Sequence, residues 1–524
     1  MKNSRRVTLQ KINRREFLRR TGATGLGATA FSLSLGSMSE FLYAQDSDTL
    51  IMLQGADTST MDPNAHLERV SNIILTNMYD SLVARAADGS IQPSLSTEWE
   101  FEDDLNTVFT LRQGVSFHNG EAFNADDVKV SLDRILFDDD FASPQRSDVS
   151  SITNVEVVDE FTVRISTESP FPLLLARLSE VEIVPSGYLA ENGDAELNVN
   201  AIGTGPYELV EWVRDSQVVM QRNENYWGDP APVANVVIRA VPEATTRVAE
   251  LLAGNADVIT NMPADQVPAV DGGGDTRVFA APSNRMIAAY YNPADDESPI
   301  NNVLVRQALN LAVDQEAIAE FVLEGFGTPI ATIFTPFDFG FNPNVEAYPY
   351  DPDGARDLLA EAGFPDGFST TMVSTGQGEF LNDRALAEAI VGFLDDVGVT
   401  VELQFREFQS YVDQILNRTI PEEIWVIDFG SGAFDADANA SFFVRTDALA
   451  SYFSFPEADE LIDAARATTD PAVREAAYFR MQEIIKENPI AIYSHFQRNL
   501  FGLSGRTNWE GRADEQVRVQ EMNF

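Results

Sequence analysis

Apolar positions recur along the chain with two periods, and the two kinds of segment alternate. Short apolar or alternating runs predict strands at residues 50–53, 236–241, 286–291 and 399–405. Apolar residues at helical spacing predict helices at residues 72–82, 245–253, 303–313, 351–362, 382–397, 456–467 and 471–487. Such alternation of strands and helices is typical of an α/β chain.

Residues 97–117 form the clearest local pattern. Polar and apolar residues alternate there on either side of Asp103 and Asp104, which predicts a hairpin with a turn at the two aspartates. Phe109 and Leu111 fall on the same face and are predicted to pack in a core. A helix is predicted to follow, with Asn124 as its cap and acids in its first turn.

The first 44 residues have the character of an export signal. Arg14 and Arg15, followed by Phe17 and Leu18, match the twin-arginine motif, and an uncharged stretch rich in Gly, Ala and Ser comes next. That stretch is too short and too rich in glycine to span a bilayer stably. We expect cleavage after Ala44 and export of the rest of the chain.

The charge balance excludes several classes of partner. The chain has 36 basic and 82 acidic residues, and after residue 44 it keeps 28 basic and 80 acidic ones, with lysine only at Lys129 and Lys486. Such a surface repels nucleic acid and anionic lipid. High salt screens the self-repulsion, so the composition indicates a saline habitat.

Cysteine is absent from the sequence. Disulfides, thiol catalysis and an N-terminal lipid anchor on cysteine are therefore excluded. No segment after the leader is long and apolar enough for a transmembrane helix, so we expect a protein without membrane insertion, free in a Gram-negative periplasm.

The common enzymatic motifs are missing. The three histidines, His66, His118 and His495, have no metal-binding spacing, and neither a Walker A motif nor a GxSxG elbow occurs after the leader. Residues 435–446 begin like a calcium loop but have Ala440 and Thr446 at the positions that need Gly and Glu. We expect no enzyme, no cofactor and no metal, although a site built from distant residues stays open.

Several ordered motifs resemble one known family, the family 5 extracellular solute-binding proteins. In the first half these are YDSLV at 79–83, DG at 88–89, PSLSTEW at 93–99, FTLRQGVSFHNG at 109–120 and FNADDV at 123–128. Further on they are GTGPY at 203–207, NYWG at 225–228, VRQALN at 305–310 and DP at 351–352. The resemblance extends over nearly the whole chain after the leader.

The resemblance implies a periplasmic binding protein-like fold of the large, class II peptide-receptor type, with two lobes and an inserted subdomain. The expected division is a leader at 1–44, a first lobe at 45–88, 204–284 and 490–524, a subdomain at 89–203 and a second lobe at 285–489. It also implies a monomer that captures a solute, most simply a peptide, by hinge closure and delivers it to an inner-membrane ABC permease and ATPase.

Candidate ligand residues follow partly from the resemblance. In dipeptide receptors of this family, an aspartate in a loop corresponding to the region of Asp435 and Asp437 pairs with the α-ammonium of the peptide. Here Gly432 and Ala433 stand where that aspartate would fall. A ligand role for Asp435 and Asp437 and a solvated acidic loop are therefore both open.

Other candidates rest on position and chemistry. Asp57 lies in the loop after the first strand, where open α/β sheets bind ligands. The family resemblance implies that the passage containing Asn284 and Arg285 is a crossover between the lobes and borders the cleft. Arg285 and Arg406 are suited to a ligand carboxylate, with surface ion pairs as the alternative.

Trp425 and Phe434 are candidates for an apolar pocket, with core packing favoured for Trp425. The open alternatives for the ligand are an oligosaccharide, an opine or another zwitterion. An exported hydrolase is the alternative of a different class.

Overall fold

The computed structural model describes residues 48–87, 89–293, 295–376 and 379–524. The export motif at Arg14, Arg15, Phe17 and Leu18 and the predicted cleavage point lie outside these residues. The strands are β1 Thr49–Gln54, β2 Val83–Arg85, β3 Ile91–Pro93, β4 Ser96–Phe101, β5 Asn106–Leu111, β6 Ile152–Asp159, β7 Thr162–Thr167, β8 Tyr207–Val213, β9 Gln217–Arg222, β10 Asn235–Ala240, β11 Val258–Ile259, β12 Thr276–Ala281, β13 Met286–Tyr291, β14 Gly327–Pro329, β15 Phe368–Ser374, β16 Val399–Phe405, β17 Ile424–Phe429, β18 Ala491–Gln497 and β19 Asn499–Ser504.

The helices cover the faces of the larger sheets. They are α1 Arg69–Leu75, α2 Ala125–Phe137, α3 Arg146–Val149, α4 Leu174–Leu178, α5 Ser186–Asn192, α6 Asp194–Leu197, α7 Ala244–Leu252, α8 Val267–Asp271, α9 Val303–Ala312, α10 Gln315–Ala317, α11 Pro352–Glu361, α12 Asp383–Asp396, α13 Phe408–Leu416, α14 Ala436–Asn439, α15 Pro456–Arg466 and α16 Pro471–Glu487. Within the described residues, none of these helices is long and apolar enough to cross a membrane.

A seven-stranded sheet in the order β12-β19-β11-β1-β10-β9-β8 forms the first lobe. Its central strand β1 runs parallel to β10 and β11, and the other pairs are antiparallel. Because side chains alternate along a strand, Leu50 and Met52 enter one core while Leu53 enters the core on the opposite face. Burial on both faces explains why β1 reads as a continuous apolar run.

A six-stranded sheet in the order β14-β18-β13-β17-β15-β16 forms the second lobe. All six residues of β13 are buried. Met286, Ala288 and Tyr290 point into one core, and Ile287 and Tyr291 point into the other. The predicted strands at 286–291 and 399–405 are confirmed at both ends.

A four-stranded antiparallel sheet, β4-β5-β7-β6, carries the inserted subdomain. The predicted hairpin is confirmed, because β4 and β5 pair on either side of the aspartates. Phe109 and Leu111 lie in the core of this subdomain, as predicted. The side chain of Asn124 accepts a hydrogen bond from the amide of Asp126 and begins α2.

Two details differ from the sequence interpretation. The helix predicted at 72–82 is wrong in its bounds, because α1 begins at Arg69 and ends at Leu75. The second detail concerns the predicted lobe boundaries, which stay a prediction and do not fit the pairing of β18. It falls in the 490–524 segment assigned to the first lobe, but it pairs with β13 and β14 in the second.

Candidate ligand-binding cleft

A cleft of about 1370 Å³ opens between the two large lobes and the subdomain. Both signs of charge line it. The carboxylates are those of Glu68, Asp148, Glu180, Glu182, Glu379, Glu407, Asp428, Asp437, Asp514 and Glu515. The guanidinium groups are those of Arg69, Arg85, Arg177, Arg285, Arg466 and Arg474. The described lining is therefore acidic overall, yet it offers partners for both ends of a zwitterion.

The chain passes between the lobes next to this cleft. One passage joins β12 to β13 and the other joins β18 to β19. The two passages run antiparallel, and the amide of Gln497 donates to the carbonyl of Arg285 over 3.0 Å. A paired crossing of two short segments is the geometry of a hinge.

Arg285 lies at this crossing and lines the cleft. Its guanidinium is 2.8 Å from the Asp428 carboxylate and 3.5 Å from that of Glu515. Glu515 also pairs with Arg69 on α1. Arg285, the predicted partner for a ligand carboxylate, is thus already paired with two carboxylates of the protein. These ion pairs link Arg69 of the first lobe, Glu515 of the C-terminal segment and Asp428 of the second lobe.

Asn284 and Phe434 lie directly behind the cleft wall. The side-chain amide of Asn284 donates to the carbonyl of Ser431 over 2.5 Å and fixes the loop after β17. Phe434 has a φ of 53°, a conformation uncommon outside glycine, and its ring lies 4.8 Å from the Arg85 guanidinium. Both residues shape the loop that forms the second-lobe wall.

Asp435 and Asp437 are buried and paired, so the solvated-loop alternative is wrong for both. Asp435 begins α14 by accepting from the amide of Asp437, and it pairs with Arg474 over 2.8 Å. Asp437 lines the cleft and lies 2.7 Å from Nε of Arg466. A ligand role for either aspartate stays a prediction.

Asp57 lies away from the lining residues, although the adjacent Ala56 is one of them. Its carboxylate accepts hydrogen bonds from the indole of Trp212 at 2.9 Å and from the amide of Asp215 at 2.8 Å. These bonds fasten the loop after β1 to the β8–β9 hairpin. In this structure Asp57 orders the backbone beside the cleft.

Arg406 and Trp425 also lie outside the lining. Arg406 pairs with the buried Glu422 and donates to the Gln414 side chain. Trp425 is fully buried and stacks on Tyr290 with ring centroids 4.7 Å apart. For Trp425 the core packing favoured by the sequence is what the structure shows.

Glu180 and Glu182 were missed by the sequence interpretation. They alternate with the buried Val181 and Ile183, so both carboxylates point away from the subdomain core and toward the cleft. That alternation is visible in the sequence. Whether the polar side faces bulk water or a cleft depends on the opposite lobe, which local sequence does not reveal.

Burial changes the acidity of this wall. Burial raises the pKa of Glu182 to about 8, with the nearby negative charge of Glu180 adding to the effect. The pKa of Glu180 is also raised by burial, although Arg177 and Arg85 oppose the shift. The pKa of Glu379, on the second lobe, is raised by burial and by Asp428. A positive charge in the cleft would stabilise all three carboxylates.

Comparison with known proteins agrees with this architecture. The GsiB glutathione-binding protein of Salmonella typhimurium is 28% identical over 477 residues, which cover 87% of this chain and 91% of that protein. The ABC transporter-associated periplasmic binding protein DppA from Helicobacter pylori, solved with the peptide STSA, matches with a TM-score of 0.76 at 25% identity. That match covers 91% of this chain and 98% of DppA.

A second solved structure is that of AgaA from A. tumefacien R10, in complex with agropinic acid. It matches with a TM-score of 0.74 at 26% identity and covers 91% of this chain and 98% of that one. The family model of the bacterial extracellular solute-binding proteins, family 5, matches residues 90–450. The chain therefore belongs to the family 5 extracellular solute-binding proteins, the substrate-binding components of ABC importers.

Proposed function

We propose that this protein captures short peptides in the periplasm and delivers them to an inner-membrane ABC permease. The observation that carries the choice of ligand is the mixed charge of the cleft. A peptide presents an ammonium and a carboxylate several ångströms apart, and a cleft lined by carboxylates and guanidinium groups pairs with both. Charge-assisted hydrogen bonds of this kind orient a ligand strongly.

The size of the cleft supports the same proposal. Sites for drug-sized ligands measure about 300–1,000 Å³, and this cleft has a volume of about 1370 Å³. The cleft therefore has room for a peptide of several residues. The DppA structure, which contains a peptide, has the same fold over most of both chains.

Capture would proceed by rotation of the lobes about the paired crossing at Arg285 and Gln497. A ligand that contacts both walls favours the closed state by its differential affinity for that state. Closure expels water, which strengthens the ion pairs formed with the ligand. The protein performs no chemistry in this cycle, and ATP is hydrolysed by the transporter.

The route to the periplasm belongs to the same proposal. We expect the leader to direct export by the twin-arginine pathway and the released protein to act as a monomer. Replacing Arg14 and Arg15 by lysine should leave the precursor in the cytoplasm, as followed by fractionation and immunoblotting. Periplasmic accumulation of the double variant would contradict this route.

Ligand binding can be measured by nano differential scanning fluorimetry on the purified protein. A library of di-, tri- and tetrapeptides is compared with glutathione, mannopinic acid and oligosaccharides at equal concentration. We expect peptides to raise the melting temperature, because a ligand bound only to the folded state stabilises it by mass action. Isothermal titration calorimetry then gives the dissociation constant for each ligand that does so.

The outcomes separate the alternatives. Stabilisation by mannopinic acid, glutathione or a sugar, with none by peptides, would replace the peptide proposal with that ligand class. No stabilisation by any small solute would overturn the receptor proposal. Recovery of a stabilising peptide in cleaved form, detected by mass spectrometry, would favour an exported hydrolase.

A further inference from the structure

The subdomain wall of the cleft contains a buried carboxyl group, that of Glu182, with few hydrogen-bond donors around it. Glu182 is only 6% exposed, yet within the described part of the chain its carboxylate receives a hydrogen bond from its own backbone amide alone. Its backbone is fixed, because the side-chain amide of Asn64 donates to its carbonyl over 3.1 Å. The charged groups that act on it are Glu180, Asp80 and Arg518, of which two are negative.

Two other buried polar side chains line the same part of the cleft. Gln145 lines the cleft and donates its amide to the carbonyl of Pro63, but its Oε1 has no hydrogen-bond partner among the described residues. His66 also lines the cleft and is buried. Its Nδ1 lies 3.6 Å from the Glu68 carboxylate, and neither ring nitrogen forms a hydrogen bond with a residue that the structure describes. A neutral imidazole has one acceptor nitrogen and one N–H donor. Burial lowers the pKa of His66, which keeps the ring neutral.

These groups belong to one small region. The segment 63–66 contacts each of them. The Pro63 carbonyl accepts from Gln145, the Asn64 side-chain amide donates to the Glu182 carbonyl, and His66 is part of the segment. Buried acceptors without donors cost free energy, and a group with several N–H donors removes that cost. Ammonium has three such donors and guanidinium has five.

Glu180 extends this region toward the second lobe. One of its carboxylate oxygens accepts from Arg177 over 3.2 Å, and the other faces Gly432. A Cβ at Gly432 would lie 1.5 Å from Oε1 of Glu180, so glycine is what allows the second-lobe loop to come this close. The second-lobe loop therefore lies against Glu180 and covers part of its carboxylate.

We infer that this wall is a cation subsite, in which Glu182 and Glu180 bind an ammonium or guanidinium group of the solute and Gln145 Oε1 provides a neutral acceptor. The inference rests on the proposed function and deepens it. It selects peptides that direct a positive charge toward the subdomain, whether from the amino terminus or from a basic side chain.

The test compares matched probes by isothermal titration calorimetry. Ala-Lys-Ala is compared with Ala-norleucine-Ala, which has nearly the same shape without the side-chain charge. Ala-Ala-Ala is compared with its N-acetylated form, which lacks the terminal charge. In at least one pair we expect the charged peptide to bind at least tenfold more tightly, in keeping with a charge-assisted hydrogen bond in a buried site.

The variant Glu182→Gln keeps the shape but cannot ionise, so it cannot provide the negative charge that a bound cation would stabilise on Glu182. We expect it to reduce the preference within the responsive pair to less than threefold and to leave the affinity for the neutral peptide nearly unchanged. Glu98→Gln is the matched control, because Glu98 lies on the exposed face of β4 in the same subdomain and away from the cleft lining. It should preserve the wild-type preference.

Each other result has a defined meaning. Equal affinity within both pairs would overturn the subsite and leave the peptide receptor standing. Equal loss of charged and neutral peptides in Glu182→Gln would mark a structural role and also overturn the subsite. If no peptide binds, the peptide proposal fails, and cadaverine and agmatine are titrated alone. Binding of either that Glu182→Gln removes supports the subsite, and absence of binding overturns it.

Discussion

Arg474 and Asp435 form a buried ion pair beneath the second-lobe wall of the cleft. Nη2 of Arg474 lies 2.8 Å from Oδ1 of Asp435, and each side chain is 7% exposed. Burial raises the pKa of Asp435, which Arg474 opposes. The pair joins α16 to the start of α14, so it holds the loop that carries Asp437 into the cleft.

Asp435→Asn should destabilise the protein strongly. The substitution leaves the Arg474 guanidinium buried without its counter-charge, and breaking a buried pair from one side costs about 3–5 kcal/mol. Urea unfolding followed by circular dichroism measures the free energy of unfolding. The matched control is Asp447→Asn, because Asp447 pairs with Arg445 at 73% exposure. An exposed pair contributes about 0–1 kcal/mol, so equal losses in the two variants would contradict the buried role.

Gly203→Ala should destabilise the junction of the subdomain and the first lobe. A Cβ at Gly203 would lie 2.0 Å from the carbonyl oxygen of Met78, which is backbone and cannot rotate away. Overpacking of this kind costs about 1–3 kcal/mol. Gly392→Ala is the control, since Gly392 lies within α12 with nothing within 4 Å of an added Cβ. That substitution should stabilise the protein by about 0.5–1 kcal/mol. Thermal unfolding measures both variants. A loss of stability in Gly392→Ala, or no loss in Gly203→Ala, would contradict the packing argument.

The Met78 contact also shows where sequence reasoning reached its limit. The bounds of β13 and β16 were predictable, because their apolar pattern and their strand length agree. The apolar residues after Leu75 fit a helical period equally well. They form no helix, because the Met78 carbonyl bonds the amide of Gly205 instead. A partner so distant in sequence overrides the local preference.

The same limit applies to the cleft. The sequence indicated the loop around Asp435, but its partner Arg474 lies 39 residues further along the chain. Glu180 of the subdomain contacts Gly432 of the second lobe, and no local pattern encodes that approach. Ionic residues could be nominated from their chemistry alone. Which of these residues pair with each other, and therefore how much net charge the cleft presents, depends on the tertiary structure.

Raising the pH should destabilise the protein through Glu182. Its pKa is raised from 4.5 to about 8 by burial. Between these values the folded protein holds a proton that the unfolded chain has released, so the free energy of unfolding falls as the pH rises. The upper bound is about 1.4 kcal/mol for each pH unit in that window.

Glu182→Gln removes this contribution and isolates it from other buried acids such as Asp338, whose pKa burial raises to about 7. Free energies of unfolding are measured in urea at pH 5, 6, 7 and 8 for both proteins. We expect the variant to gain on the wild type progressively from pH 5 to pH 8. A constant difference across the series would show that Glu182 titrates near its ordinary value.

Salt should stabilise this protein more than most. The full chain has a formal net charge of −46 at pH 7, and the part after residue 44 has 28 basic against 80 acidic residues. Repulsion among these carboxylates destabilises the folded state at low ionic strength. The Debye length falls from about 30 Å at 0.01 M to about 3 Å at 1 M, so the repulsion is screened across this range. The melting temperature should therefore rise steeply with sodium chloride and level off near molar concentration.

Sucrose at equal osmolality separates screening from preferential exclusion, since it carries no charge. A melting temperature that is flat in salt, or that rises equally in sucrose, would contradict a surface adapted to saline surroundings.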